Sequence, residues 1–310
     1  MINKAGLLFA GIVLSLTTSV SAQKTVPADT NSLAGVIDFH CHTGPDISVR
    51  SINDVELARL AKKDGMRGIV LKNHYTMTAD RAQVAMQEVG GGIEVFGGIV
   101  LNRSVGGINA EAIKRMIQIE GHRGKVVWLP TVDAENGFEH APDPRQFVPV
   151  VKDGKPVPEL AEVFQLIAKN NLVFETGHSS PQESLILIPA AKQAGVKNIV
   201  VTHAMLLGAT LGQVKQMAAM GAIIEFCFQP AGLSYAKNLA TIANYANVIK
   251  TVGAEHFIID SDLGQKNNPL HPDGMRTFIA QLKANGLTEH DIDLIARKNP
   301  AKLLGLAPSN

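Results

Sequence analysis

The chain has 310 residues, 45% of them hydrophobic and 18% charged, with a formal net charge of +1. That length and composition suit one large globular domain with a substantial core. A charge balance this close to neutral, without runs of Lys or Arg, gives no electrostatic footprint for nucleic acid or an anionic membrane, and sets both aside as partners.

At the N-terminus, Lys4 precedes an apolar stretch over residues 5–16, followed by Thr17, Thr18 and Ser19 and then Val20-Ser21-Ala22 before Gln23. A basic start, a short apolar run and small residues at the junction predict a secretory signal peptide over 1–22. The apolar run is shorter than the ~20 residues that span a bilayer. The expectation is therefore cleavage, a mature single domain over 23–310, and a periplasmic or secreted location with no membrane attachment.

From residue 34 onward, Val/Ile-rich runs at 36–42, 68–74, 94–101, 126–132, 172–177, 198–203, 222–228 and 257–262 read as strands. They alternate with amphipathic stretches at 54–63, 81–88, 110–119, 159–170, 183–193, 211–220, 235–252 and 275–285, which read as helices. Strict alternation predicts a parallel sheet, and runs apolar on both faces fit strands covered by helices outside and filled by side chains inside. Eight units in about 250 residues predict an α/β fold, the (β/α)8 TIM barrel. A doubly wound open sheet is the competing architecture. It would gather ligands at one crevice, whereas polar residues here end the first, second, fifth, sixth and eighth strands.

Local signals agree with this parse. Ser180-Pro181-Gln182-Glu183 is a capping box with Pro at the first helical position, and Gly65, Gly195, Gly221 and Gly286 stand where helices close. The connection at 135–158 carries Pro142, Pro144, Pro149, Pro156 and Pro158. It is expected to be a long βα loop acting as a substrate-side flap, with a hairpin over 147–155 turning at Asp153-Gly154. Residues 288–304 are expected to form an added helix against the barrel. The strand order separates Cys41 from Cys227 by two strand spacings, about 10 Å, which is too far for a disulfide, so both are expected as buried thiols.

The most informative motif is Asp38-Phe39-His40-Cys41-His42-Thr43. Strand alternation puts His40 and His42 on one face, and two imidazoles side by side on a rigid strand suit zinc or another divalent first-row metal. His74, His178, His203 and Asp262 end other strands, which packing alone explains poorly. Asp260 has the same parity as Asp262 and competes with it for the role of site carboxylate. Lys72 shares a face with His74 and interrupts an apolar strand, and burying a lysine is costly unless it is paired or altered. Arg103 follows the third strand, where a guanidinium could clamp a carboxylate or phosphate of the substrate. Glu225 reads equally as a site carboxylate or part of a structural salt bridge, and Glu175 as a supporting carboxylate near His178. His122, His140, His256, His271 and His290 are expected at the surface, His140 and His271 within reach of the site.

A His-x-His ending strand one, single histidines ending strands five and six, and an aspartate ending strand eight together resemble the amidohydrolase superfamily. The resemblance spans essentially the mature chain and extends to the closing Asn299-Pro300-Ala301-Lys302-Leu303-Leu304-Gly305. It implies that His40, His42, His178 and His203 are metal ligands. It also implies that Asp262 contacts the metal or its water and shuttles protons, so Asp262 is the expected catalytic residue as well as a ligand. Strand four departs from the pattern: Val126 to Asp133 holds neither the lysine nor the glutamate that bridges two ions in many members, which leaves one or two ions open. Lys72 is a substitute as a carboxylated bridging ligand, a cation for an anionic substrate, or a snorkelling side chain with its amine in solvent. His74 is then a second-metal ligand or a substrate-binding group, alongside Arg103.

The implied function is a metal-dependent hydrolase in which metal-bound hydroxide attacks a C–N, C–O or P–O bond of a small molecule, with a carboxylate moving the proton. A metal-dependent decarboxylase or other lyase of the same superfamily is one alternative, and a noncatalytic exported metal- or solute-binding protein is another. Homo-oligomerisation is left open.

Overall fold

The computed structural model describes residues 33–137, 147–228 and 241–308. The signal-like segment, His140 and the N-terminal part of the helix expected at 235–252 lie outside the described residues. Eight parallel strands form the barrel wall: β1 (Ile37–His42), β2 (Gly68–Lys72), β3 (Glu94–Val100), β4 (Gly124–Trp128), β7 (Val173–Glu175), β8 (Asn198–Val201), β9 (Ile223–Cys227) and β10 (Phe257–Asp260), neighbouring one another in that order. The seam between the last strand and the first is tied by Asp262 N–H donating to the His40 carbonyl at 3.0 Å and His42 N–H donating to the Leu263 carbonyl at 2.9 Å. The protein is thus a (β/α)8 TIM barrel, and its closing bonds are made by the backbone of residues expected in the site.

The helices on the outside are α1 (Asp54–Lys63), α2 (Ala79–Val89), α3 (Ala110–Gln118), α4 (Leu160–Lys169), α5 (Pro181–Gln193), α6 (Leu211–Ala219), α7 (Ile242–Val252) and α8 (His271–Ala284). Sequence chemistry starts them where expected. Ser180 and Glu183 form the capping box of α5 with Pro181 at its first turn, and Asn53 with Glu56 and Thr210 with Gln213 do the same for α1 and α6. α8 begins at His271, four residues before the predicted start, because Pro272 suits the first turn of a helix. The C-terminal segment is not one regular helix but α9 (Glu289–Asp293), a π-helical turn over Leu294–Lys298 and α10 (Asn299–Leu304).

Two apolar layers result. One lies between sheet and helices and includes Cys41, Ile69, Leu71, Val127 and Ile259; the other fills the lower barrel with Ile37, Phe39, Val70, Phe96, Val126, Trp128, Val173 and Ile258. Ala301, Leu303 and Leu304 of α10 close this inner layer from below. Asn299 anchors that plug by donating to the carbonyls of Ala254 at 3.0 Å and Phe257 at 2.7 Å.

Strand one does not keep strict alternation. Asp38 pairs with Ile69 and Cys41 with Leu71, so Phe39 and His40 together stand opposite Val70, a β-bulge. The Asp38 carboxylate accepts from His40 N–H at 3.3 Å and Ser261 N–H at 2.9 Å and so holds the bulge in place. The extra residue lets Phe39 face the apolar plug while His40 and His42 both face the barrel's upper interior, the kind of re-aiming that bulges provide near functional sites.

The long connection after β4 carries the expected hairpin: β5 (Val151–Lys152) and β6 (Lys155–Pro156) pair antiparallel, with Asp153 and Gly154 both at positive φ. Residues 138–146 of that connection lie outside the described residues. Among the described residues no helix is long and apolar enough to cross a membrane.

Candidate metal centre

The site lies at the carboxyl ends of the barrel strands, where this fold carries its chemistry. Several predicted strands stop short, at Lys72, Glu175, Val201 and Asp260, so that His74, His178, His203 and Asp262 sit just past the ladder. His203 and Asp262 there adopt left-handed backbone with φ of 50° and 49°. Non-glycine residues pay for that conformation, and it persists where the surroundings enforce it. Gly264 meets a stricter demand, at φ +123° with a would-be Cβ 1.9 Å from the His42 carbonyl oxygen. Only glycine lets the Asp262 loop pass this close to strand one.

Three imidazoles and a carboxylate converge. His40 Nε2 and His42 Nε2 lie 3.3 Å apart, and Asp262 Oδ1 lies 3.1 Å from the first and 3.2 Å from the second. His203 Nε2 is 3.6 Å from Asp262 Oδ2. His74 and His178 complete a ring of histidines: His42 and His74 rings are 4.7 Å apart between centroids, His74 and His178 6.2 Å, His178 and His203 5.6 Å, and His203 and His40 4.9 Å. His40, His42 and His203 are buried, and so is most of Asp262.

Burial holds all five imidazoles below the ordinary histidine range. His40, His42, His74 and His178 lie well below it through desolvation, and next through Lys72 for His40, His42 and His178 and through the neighbouring His42 for His74. His203 is pushed down to about 4 by desolvation, against the opposing pull of Asp262. Neutral imidazole is the form that ligates metal. Nitrogen and carboxylate donors at these separations fit a divalent first-row ion, and His40, His203 and Asp262 offer ligand atoms within 4.8 Å of one another.

Asp262, not Asp260, supplies the carboxylate at this cluster. Asp260 lies lower in the barrel and is fully buried; its nearest titratable company is Glu225 and the other face of His40. Glu225, one of two readings left even by sequence, belongs to the site: its Oε1 is 3.1 Å from His40 Nδ1 and 3.0 Å from His203 Nδ1. Glu175 is buried next to it, accepts from Thr202 Oγ1 at 2.8 Å, and is held well above the carboxylate range by desolvation and then by Glu225.

Lys72 is fully buried, so the snorkelling expectation is wrong. Its Nζ has no hydrogen-bond partner and lies 5.2 Å from the centre of the Trp128 ring. Trp128, at the end of β4, offers an ammonium there a cation–π contact. An ammonium at Lys72 places positive charge beside His40, His42 and His178.

His74 is fixed differently from the others. Its Nδ1 lies 2.7 Å from Thr131 Oγ1, which accepts from Asn102 Nδ2 at 2.9 Å. Asn102 also donates to the His74 carbonyl at 2.8 Å and accepts from Thr131 N–H at 2.8 Å. Arg103 is not brought to this cluster by any contact described; it is exposed on the turn after β3, its N–H donates to Asp133 at 2.8 Å, and it borders a surface groove with Val148 and Lys152.

His271, expected within reach of the site, is fully buried at the start of α8 against His42 and is pushed down to about 4 by desolvation. His122 and His290 are exposed as expected. Cys41 and Cys227 are buried thiols. Sequence reasoning also missed a brace below His42: Arg81 donates to Asp54 at 2.7 Å and to the Thr43 carbonyl at 3.2 Å. Arg50, paired with Asp46 at 2.6 Å, adds positive charge near His42. An Arg–Asp pair between the first turns of α1 and α2, twenty-seven residues apart, leaves no short-range motif to read.

A family model described as a family of unknown function (DUF6282) matches residues 35–225. The chain belongs to the DUF6282 family. The matched region holds the His-x-His strand, His178, His203 and Glu225, while Asp262 lies beyond it. No curated protein matches the sequence. Among solved structures, the phosphotriesterase homology protein from Escherichia coli complexed with phosphate superposes with a TM-score of 0.62 at 17% identity, over 87% of this chain and 98% of that one. An organophosphorus hydrolase from Deinococcus radiodurans gives 0.58 at 14% identity, over 89% and 94%. A probable 2-pyrone-4,6-dicarboxylic acid hydrolase from Acinetobacter baumannii with citric acid bound gives 0.58 at 15%, over 88% and 100%. At these identities the likeness shows a shared barrel.

Proposed function

We propose that this member of the DUF6282 family is a metal-dependent hydrolase of small molecules, amidohydrolase-like, with His40, His42, His203 and Asp262 as its principal ligands. The observation that carries the reading is that the Nε2 atoms of His40, His42 and His203 each lie 3.1–3.6 Å from an oxygen of the Asp262 carboxylate. The neighbouring barrels are an organophosphorus hydrolase, a phosphotriesterase homology protein and a probable 2-pyrone-4,6-dicarboxylic acid hydrolase, which supports the same class. Zinc is the first candidate because nitrogen-rich sites with one carboxylate suit it. His178 lies beside the four and completes the set if a second ion binds.

When bound, a divalent ion polarises the substrate oxygen and makes water acidic enough to attack at neutral pH. The chain supplies the rest. The Asp262 carboxylate takes the proton from the attacking water and returns it to the leaving group. Thr131 and Asn102 fix the His74 imidazole through its Nδ1 and leave Nε2 to bond a substrate oxygen. Lys72 adds positive charge beneath the histidines and favours an anionic group at the centre. Burial of the ring excludes bulk water and strengthens each of these contacts. The pattern at 1–22 supports export to the periplasm or beyond.

The test is hydrolysis of a panel of lactones, amides, cyclic imides and phosphate esters by zinc-loaded protein, with and without chelator, and by the Asp262→Asn variant. Turnover that disappears in the chelated protein and in Asp262→Asn is the expected result. Turnover that survives complete metal removal sinks the reading, and a product lacking oxygen-18 from labelled water reassigns the protein to lyase chemistry.

A further inference from the structure

His74 follows the end of β2, and both its backbone and its ring are held by side chains. Asn73 Oδ1 accepts from Tyr75 N–H at 2.8 Å and Thr76 N–H at 3.1 Å, which turns the chain there. Asn102, just past β3, donates from Nδ2 to the His74 carbonyl at 2.8 Å and to Thr131 Oγ1 at 2.9 Å, and Thr131 Oγ1 lies 2.7 Å from His74 Nδ1. We propose that His74 is a catalytic residue whose neutral imidazole donates from Nε2 to the substrate oxygen on which negative charge builds, and that Asn102 positions it through Thr131. This rests on the metal-dependent hydrolase reading above and deepens it by naming the hydrogen-bond donor.

The direction of each bond follows from groups that have no choice. The backbone N–H groups of Thr131 at 2.8 Å and Asp133 at 3.3 Å both point at Asn102 Oδ1, and only an oxygen can accept from them. The other end of the amide is therefore the NH2, which donates to the His74 carbonyl and to Thr131 Oγ1. The Thr131 hydroxyl, with that bond accepted, has one proton left, and His74 Nδ1 is the acceptor in reach. Asn102 and Thr131 are buried, so bulk water replaces neither partner. A ring that accepts at Nδ1 is neutral and carries its hydrogen on Nε2. Such a nitrogen donates and does not ligate. Nε2 has no hydrogen-bond partner among the described residues, and the partly exposed ring stands between His42 and His178, at 4.7 and 6.2 Å between centroids. In the reaction the water oxygen bonds to the carbonyl carbon or phosphorus, its proton goes to Asp262, and the π electron pair of the C=O or P=O bond moves onto the oxygen. The bond from Nε2–H strengthens as that charge grows, and no proton leaves the imidazole. A neutral imidazole is a competent electrophile, and one preorganised donor of this kind contributes about 100- to 1,000-fold in kcat.

The experiment joins spectra to kinetics. In zinc-loaded wild type, nitrogen-15 spectra of the histidine side chains are expected to show His74 with hydrogen on Nε2 and none on Nδ1. Inorganic phosphate, used as a plain oxyanion at saturation, is expected to move that Nε2 proton downfield. Thr131→Val cuts the relay and should let an Nδ1–H form of His74 appear, whereas Thr131→Ser keeps the hydroxyl and should not. On the panel substrate that wild type hydrolyses best, His74→Ala should lose about 100- to 1,000-fold in kcat with its KM and zinc count unchanged. His74→Gln, which carries an amide donor, should recover part of that loss. The inference is overturned if His74 carries its hydrogen on Nδ1, if His74→Ala binds less zinc than wild type, or if zinc-replete His74→Ala keeps the wild-type kcat. Should the Thr131 variants fail to fold, the wild-type spectra and the His74 variants decide. Failure of the metal reading looks different: wild type itself takes up no zinc, while spectra of the metal-free protein still report the His74 proton.

Discussion

The lower and upper halves of the barrel interior differ in kind, and the boundary falls between two adjacent residues. Phe39 and His40 both stand opposite Val70 across the bulge. Phe39 belongs to the apolar layer that α10 seals from below, and His40 to the ring of imidazoles above. Below the boundary the inner layer is a packed apolar cluster, and that half supplies stability. Above it the barrel buries Lys72, Glu175, Glu225, Asp260 and the histidines, groups that cost free energy to desolvate and are retained where chemistry uses them.

The comparison can be broken first at its lower side. Phe39→Ala should cost about 3–5 kcal/mol in denaturant unfolding, as large-to-small changes in a closed core do, while the metal count stays that of wild type. A Phe39 variant that keeps its stability, or loses its metal, would show that the two halves are not separable.

Metal should act on the upper half alone. Zinc held a hundredfold above its dissociation constant should stabilise the fold by about 2.7 kcal/mol if it binds only the folded chain. Chelator should lower the melting temperature without unfolding the barrel, whose core is complete without an ion; circular dichroism of the chelated protein checks this.

Acid separates the halves through His271. Its imidazole is held down to about 4 in the fold, whereas an unfolded histidine takes up a proton near 6.5. The unfolded chain therefore binds more protons in between, and this group's contribution is lost as the pH falls from about 6.5 to 4. Asp38, raised to about 6, and Glu225, raised to about 7, both by desolvation first, act in the opposite sense and gain stability as the pH falls through those values. The opposing groups mask each other in wild type, so the readout is a difference. Relative to His271→Asn, metal-free wild type should lose about 2 kcal/mol between pH 7 and pH 5. An unchanged difference would mean that His271 is not held neutral by its surroundings.

The smallest expected change is Gly264→Ala, which forces a side chain against the His42 carbonyl in a left-handed backbone. A cost of about 1–3 kcal/mol with weakened zinc binding would show that the Asp262 loop is positioned by this close approach.

Much of this was legible in sequence because its period is short. Eight apolar runs with turn and capping residues between them specify a barrel, and side chains at the ends of successive runs must meet at one rim. His40, His42, His74, His178, His203 and Asp262 were found in that way. The bulge was not, because Asp38 holds it through Ser261, some two hundred residues on. Glu225 could be seen as a buried carboxylate, but its partners come from two other strands, and no spacing encodes them. His271 was legible as a residue near the site but not as a buried one, because the start of α8 faces the seam at His42 and Leu263, a contact set by barrel closure and not by helix pattern. Lys72 was rightly singled out, yet its neighbour Trp128 lies on a strand two places away.

The measurement that bears most directly on the account is elemental analysis of purified protein, counting divalent metal per chain in wild type and in His40→Ala/His42→Ala after dialysis against a trace of zinc. The account predicts at least one ion per chain in wild type and none in the double variant, with both proteins folded. Wild type free of metal under these conditions, or a double variant that retains a full equivalent, would contradict it.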